Sequence, residues 1–222
     1  MKKLLMVLFA SVLVLSVSGI AAAIPIQSTF DTGLDGWTSN TPSEISWGSS
    51  EGNPGGYVRF TDNSGSYAGI FAPSEFLGDW SALDGIGSIS FDHKIFNTGP
   101  NPTFVPYRIE ISGPGGTALW EGDTPNGTTD WPTSPEQTVI APLSEVAWSL
   151  TAGSWSALLS DVSQLSIKIE AVSNPSGGTP EICGIDNVQL DPPEPVPEPA
   201  TMLLLASGLI GLAGFRKKLR KS

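Results

Sequence analysis

Two tryptophans in polar surroundings offer the clearest chemistry in this chain: Trp80, between Asp79 and Ser81, and Trp131, between Asp130 and Pro132. A pyranose presents a flat C–H face that docks on an aromatic ring, and nearby polar groups then fix its orientation. Their loop-like neighbours make these two rings candidate sugar platforms. Trp37, Trp47, Trp120, Trp148 and Trp155 instead sit largely within apolar patterns and read as core. Arg59 and Arg108 are further candidate ligand-binding residues, because cations are scarce here. The plainer reading of each is a surface pair with a neighbouring carboxylate.

Catalytic chemistry is thinly represented. His93, the only histidine, alternates with Ile and Phe along an apolar pattern, which reads as a satisfied core side chain rather than a general base. There is no phosphate loop, histidine-rich metal box or Cys–His pairing. A glycosidase needs two carboxylates across a cleft, and the chain has 22 acidic residues to choose from. Short loops on a compact fold leave little room for that cleft. The chain therefore reads as a non-enzyme.

Charge narrows the partners. Seven of the 11 basic residues lie at the two ends, so Arg59, Lys94, Arg108 and Lys168 alone oppose the 22 carboxylates of the body. Such a surface repels nucleic acid and anionic lipid and attracts divalent cations. Cys183 is the only cysteine, so no internal disulfide is available, and its apolar setting reads as a buried small hydrophobe.

The elements that must position these groups are strands. Ile89, Phe91, His93 and Ile95 alternate with polar residues, as do Val105, Tyr107, Ile109 and Ile111, and Leu165, Ile167 and Ile169. Further strands are expected at 44–48, 56–62, 67–72, 117–121, 136–140, 145–150 and 182–190, separated by Gly-, Pro- and Asn-rich turns. One short helical turn is expected from Ala157 to Val162. This pattern predicts an all-β, two-sheet antiparallel β-sandwich over residues 24–190, followed by a stiff proline-rich linker at 191–199.

Both ends read as addresses. Lys2 and Lys3 precede an apolar run from Leu4 to Val17, and small residues up to Ala23 complete a signal peptide spanning 1–23. At the other end Pro197, Glu198 and Pro199 lead into an apolar stretch from Met202 to Phe215. Arg216, Lys217, Lys218, Arg220 and Lys221 close it. The apolar run is short for a spanning helix, but flanking Lys and Arg can snorkel and lengthen its reach. This tripartite tail resembles the PEP-CTERM sorting signal of Gram-negative, exopolysaccharide-producing bacteria. The resemblance implies a transmembrane helix within 200–222 that anchors the chain transiently in the inner membrane. It also implies cleavage near Pro197-Glu198-Pro199 by an exosortase-type protease, and delivery to the cell surface or extracellular matrix.

The body carries a second resemblance. Phe30-Asp31 through Gly36-Trp37, and Gly184-Ile185-Asp186-Asn187-Val188-Gln189-Leu190, are similar to the opening and closing strands of galactose-binding-like jelly rolls. The stretches Phe71–Asp79, Ile89–Asp92 and Leu158–Ile167 resemble the laminin B domain. In the galactose-binding-like fold the first and last strands lie side by side. Asp31 and Asp186 would then face one structural Ca²⁺, with Asp62 a possible third carboxylate and carbonyls of turn 53–56 or 61–65 completing the shell. The plainer alternative is that these aspartates cap turns or accept backbone N–H groups. Three functions stay open: a surface module that binds exopolysaccharide or another glycan in biofilm or adhesion, a ligand-free structural domain of the coat, and a secreted glycan hydrolase.

Overall fold

Alternation of apolar and polar residues sorts most of these strands into two faces. In the computed structural model, which describes residues 25–62, 68–173 and 179–191, the elements follow in chain order. They are β1 (Ile26–Ser28), β2 (Thr38–Ser39), β3 (Ile45–Gly52), β4 (Gly55–Asp62), β5 (Gly69–Phe71) and β6 (Ser88–Asn97). Then come β7 (Arg108–Gly113), β8 (Gly116–Glu121), β9 (Val139–Pro142), β10 (Ser149–Gly153), α1 (Trp155–Leu159), β11 (Gln164–Lys168) and β12 (Glu181–Asp191). Two six-stranded sheets result. One runs β3-β4-β12-β6-β9 with β1 also paired to β12, and the other runs β10-β8-β7-β11-β5-β2. Every pairing is antiparallel. Ile24–Pro193 is one compact unit.

The core lies between the sheets. Ile89, Phe91 and Ile95 of β6 meet Ile109 and Ile111 of β7, Leu165 and Ile167 of β11, and Cys183 and Ile185 of β12 in one buried cluster. Phe30, Trp37 and Phe76 close it, with the Trp37 and Phe76 rings edge to face at 5.2 Å. Each large apolar side chain buried this way contributes about 2–3 kcal/mol. Cys183 is a free, buried thiol, as its apolar setting foretells.

Prolines account for several shifted boundaries. Pro106 has no N–H to give a ladder, so β7 begins at Arg108, and Val105 and Tyr107 belong to the preceding loop. Pro135 opens a 3₁₀ turn over Pro135–Gln137, which delays the strand expected at 136–140 to Val139–Pro142. A second 3₁₀ turn, Glu145–Ala147, takes the first half of 145–150. The helix starts at Trp155, two residues before the expected turn.

β12 carries a register shift between Asp186 and Gln189, where Asn187 adopts the left-handed φ of 48°. A one-residue bulge reverses the inside–outside alternation of everything beyond it. Cys183 and Ile185 therefore point inward before the bulge and Val188 and Leu190 after it, while Asp186 and Asn187 both fall on the outer side. The signal peptide, the transmembrane helix and sorting residues Pro197, Glu198, Pro199, Arg216, Lys217 and Lys218 lie outside the described residues. Among the described residues no helix is long and apolar enough to cross a membrane.

Candidate functional site

The outer face of the β3-β4-β12-β6-β9 sheet gathers the polar and aromatic residues that the core leaves over. Tyr57 and Arg59 point out from β4, Gly184 and Asp186 from β12, and Asp92, Lys94 and Phe96 from β6. Across this face runs a strap, residues 129–138, joining the β8 side of the fold to β9. Ile95 fixes its start, donating its N–H to Thr129 Oγ1 at 2.9 Å and accepting from Thr129 N–H at 3.1 Å. Trp131 Nε1 donates to the Glu51 carbonyl at 2.5 Å, and Asn53 Nδ2 to the Pro132 carbonyl at 2.9 Å. Lys94 pairs with Asp130 at 3.2 Å.

Under the strap the aromatic half of the face is already filled. Tyr57 stacks on Phe96 with centroids 5.5 Å apart, and Trp131 meets Tyr57 at 5.5 Å and Phe96 at 6.0 Å. Lys94 Nζ lies 4.7 Å from the Phe96 centroid, and Arg59 donates to the Tyr57 hydroxyl at 3.1 Å. Gly184 forms the floor: a Cβ there would come within 2.8–3.1 Å of Tyr57, Trp131 and Phe96. Any side chain at that position would have to displace this ring cluster.

The other half is open. A groove of about 490 Å³ runs over β6, β9 and the end of β12, lined among others by Ser90, Asp92, Thr138, Ile140, Gln189 and Asp191. Its lining mixes hydroxyl, amide and carboxylate groups with the half-exposed side chain of Ile140. Asp92 is organised by its neighbours. Its Oδ2 accepts from Asn53 Nδ2 at 3.0 Å and Asn187 Nδ2 at 2.9 Å, and its Oδ1 from the Thr138 hydroxyl at 2.9 Å. Asp186 beneath accepts the backbone N–H of Asn53 at 2.5 Å and of Asn187 at 2.7 Å. Burial pushes its pKa up to about 6, and the nearby charges of Asp92 and Asp31 add to that rise. Burial likewise raises Asp191.

The expected site residues separate into several places. Trp131 lies on the strap, half-buried, as just described. Trp80 is a correction: it is 2% exposed within the core, its Nε1 donating to the Phe76 carbonyl at 3.1 Å. Its polar neighbours face out because Asp79 caps the following turn through the Ser81 N–H at 2.9 Å, and that turn drives the ring inward. Trp47 differs in the opposite sense, being 40% exposed at the edge strand β3. Arg59 belongs to the aromatic half of the face. Arg108 does not join it, since it lies on β7 of the other sheet, 3.5 Å from Glu110.

Asp31 and Asp186 both flank the turn at 53–55. Asp31 accepts from the Thr29 hydroxyl at 2.9 Å, and its Oδ1 stands 2.1 Å from where a Cβ on Gly55 would sit. Asp62 is a second correction. It pairs in register with Glu181, five residues before Asp186 on β12, so roughly 16 Å of strand separates the two. Among the described residues no group of three or more His, Cys, Asp or Glu is placed to hold a metal ion. His93 is fully buried, and burial lowers its pKa to about 4 although its Nε2 meets the Ile169 carbonyl at 3.1 Å. A neutral imidazole in the core performs no acid–base work at the surface.

Sequence reasoning passed over Tyr57, Phe96, Asp92 and Gly184. The outward positions of β6 were legible in its alternation, but nothing local announced a strap that would cover them.

These features define an all-β, two-sheet antiparallel sandwich with a groove on the outer side of one sheet. Its fold is similar to the L4b domain of human laminin alpha-2, with a TM-score of 0.51 and 12% identity over 77% of this chain and 98% of that one. The family 11 carbohydrate-binding module of Clostridium thermocellum, determined with a β-1,3-1,4-mixed-linked tetrasaccharide, aligns with a TM-score of 0.47 and 16% identity. That alignment covers 78% of this chain and 98% of the module. The CBM22-1 xylan-binding domain of Paenibacillus barcinonensis Xyn10C aligns with a TM-score of 0.42 and 14% identity, over 79% and 98% of the two chains. No curated protein matches the chain significantly. Residues 195–218 match the PEP-CTERM protein-sorting motif, which marks an exported chain processed by an exosortase.

Proposed function

We propose that this is an exported, non-catalytic glycan-binding module, delivered to the surface or extracellular matrix of a Gram-negative bacterium, whose ligand lies in the groove over β6, β9 and β12. The observation that carries this reading is the groove itself. Hydroxyl, amide and carboxylate groups converge there beside an exposed aliphatic patch at Ile140, with the Trp131 strap as one wall. Sugar hydroxyls donate well to such carboxylates, and C–H faces rest on the apolar patch. The test is a saccharide-array or polysaccharide-retention assay on the full chain. Wild type is expected to bind, and Gln189→Ala with Ile140→Asp to lose at least tenfold in affinity; equal retention of that double variant overturns the groove as the site.

A ligand-free structural role is favoured by one feature, the aromatic half of the face, where Trp131 seals Tyr57 to 1% exposure. Failure of every saccharide to bind would select that role. Calcium belongs to the same proposal as a structural clip: Asp31 and Asp186 flank turn 53–55, and carbonyls of that turn would supply the remaining hard oxygens. Chelation should lower the melting temperature by several degrees, and Asp186→Asn should abolish that shift. Elemental analysis without calcium removes the clip. Before processing, the tail between 200 and 222 would hold the chain in the inner membrane, and mass spectrometry of the mature carboxyl terminus should place the cut near Pro197-Glu198-Pro199.

A further inference from the structure

At the start of β12, away from the groove, four acids are buried together. Asp62, ending β4, stands directly opposite Glu181 in the ladder, and both are 0% exposed. Facing residues of antiparallel neighbours project to the same side with Cβ atoms about 5 Å apart. Glu170 just beyond β11 and Glu44 just before β3 are also buried. Glu181 is divided between its two oxygens. Oε1 accepts the N–H of Ala171 at 2.6 Å, the N–H of Val172 at 3.0 Å and the Cys183 thiol at 3.1 Å. Oε2 is buried and meets no donor. Glu170 in turn accepts the Ala68 N–H at 3.3 Å.

An ionised oxygen buried without a donor among other carboxylates is expensive, and either a proton or a cation would relieve it. The described side chains place no three carboxylates around a common point, as an ion would require. We infer that Glu181 stays protonated in the folded protein and donates from Oε2 to the carboxylates it faces, with Asp62 in direct register. A shared proton thereby closes this end of the sandwich, and its loss sets a second buried negative charge against the acids that Glu181 faces.

The electrostatics agree from every side. Burial pushes Glu181 up to about 7, with Glu170 and Asp62 adding to the rise. Burial also raises Glu170; Lys168 on β11 opposes that rise, while Asp62 and Glu44 reinforce it. Cys183, next along β12, is held as a thiol by burial and by Glu181, and so remains a donor. Tyr107, on the segment before β7, is pushed up to about 12 by burial and by Cys183, and His93 on β6 is neutral, so neither supplies a positive charge. An acid raised by folding binds its proton more tightly in the native state than in the unfolded chain. Its contribution is complete below the unfolded value and is lost as pH climbs to about 7, levelling off beyond.

The test is thermal unfolding of the full chain between about pH 5 and about pH 8, for wild type and Glu181→Gln. The amide of the variant keeps an acceptor at Oε1 and places N–H donors where the proton sat. Wild type is expected to lose about 5 °C across that range, and Glu181→Gln to lose most of this dependence. Equal pH slopes overturn the proposal. If the variant does not fold, infrared spectroscopy of wild type decides: a protonated carboxyl stretch at neutral pH that vanishes on raising the pH supports it, and its absence overturns it. Added calcium that restores the wild-type melting temperature at high pH, but not that of Glu181→Gln, would make the cluster a cation site and overturn the shared proton.

Discussion

The start and the middle of β12 hold buried carboxylates in opposite circumstances. Around Asp186 donors are plentiful: two backbone N–H groups serve that side chain, and two side-chain amides and a hydroxyl serve Asp92 beside it. Around Glu181 three donors crowd onto Oε1 and leave Oε2 with none, and the charged neighbours that raise its pKa are themselves acids. The middle of the strand lies beside a groove, where Asp186 faces the groove residue Asp92. The Glu181 cluster, served on one oxygen only, depends on how many protons it retains. One strand thus carries a polar surface beside a groove and a buried cluster whose stability is tied to acidity.

The sharpest way to break this contrast is Asp186→Ala. It leaves the N–H groups of Asn53 and Asn187 without their acceptor and should cost about 2–4 kcal/mol in chemical denaturation. A loss close to zero would show that the turn at 53 holds itself without the carboxylate. Next comes Gly184→Val, between Glu181 and Asp186, whose Cβ runs into Tyr57, Trp131 and Phe96 and should cost about 1–3 kcal/mol. Retained stability together with a quenched Trp131 signal would mean that the strap lifts to make room. Thr138→Val is the smallest, removing one of three donors to Asp92 for about 0.5–1.5 kcal/mol. An effect as large as that of Asp186→Ala would make the strap, rather than the bulge, the keystone of the groove.

Much of the sandwich was legible because its strands alternate: the inward residues of β6 follow from period two, and the buried Cys183 from its apolar setting. Trp80 shows where that reading fails. Flanking Asp79 and Ser81 are polar, yet they form a capped turn that aims the indole into the core. Asp62 shows a different failure, because placing it beside Asp186 required a register that only the ladder to Glu181 reveals. The groove was illegible for a third reason. It depends on the bulge at Asn187 and on a strap from a distant stretch of chain, and neither leaves a periodic trace.

Strand β12 is hydrogen-bonded to β4 over its first half, to β1 over its second half and to β6 along most of its length. It is also the strand from which the chain continues toward the sorting motif. The strand that ends the domain is therefore tied by ladders along both of its edges, and neither of its ends can fray without breaking bonds to two neighbours. An edge strand in that position would be held by a single ladder, whereas β12 is held by three.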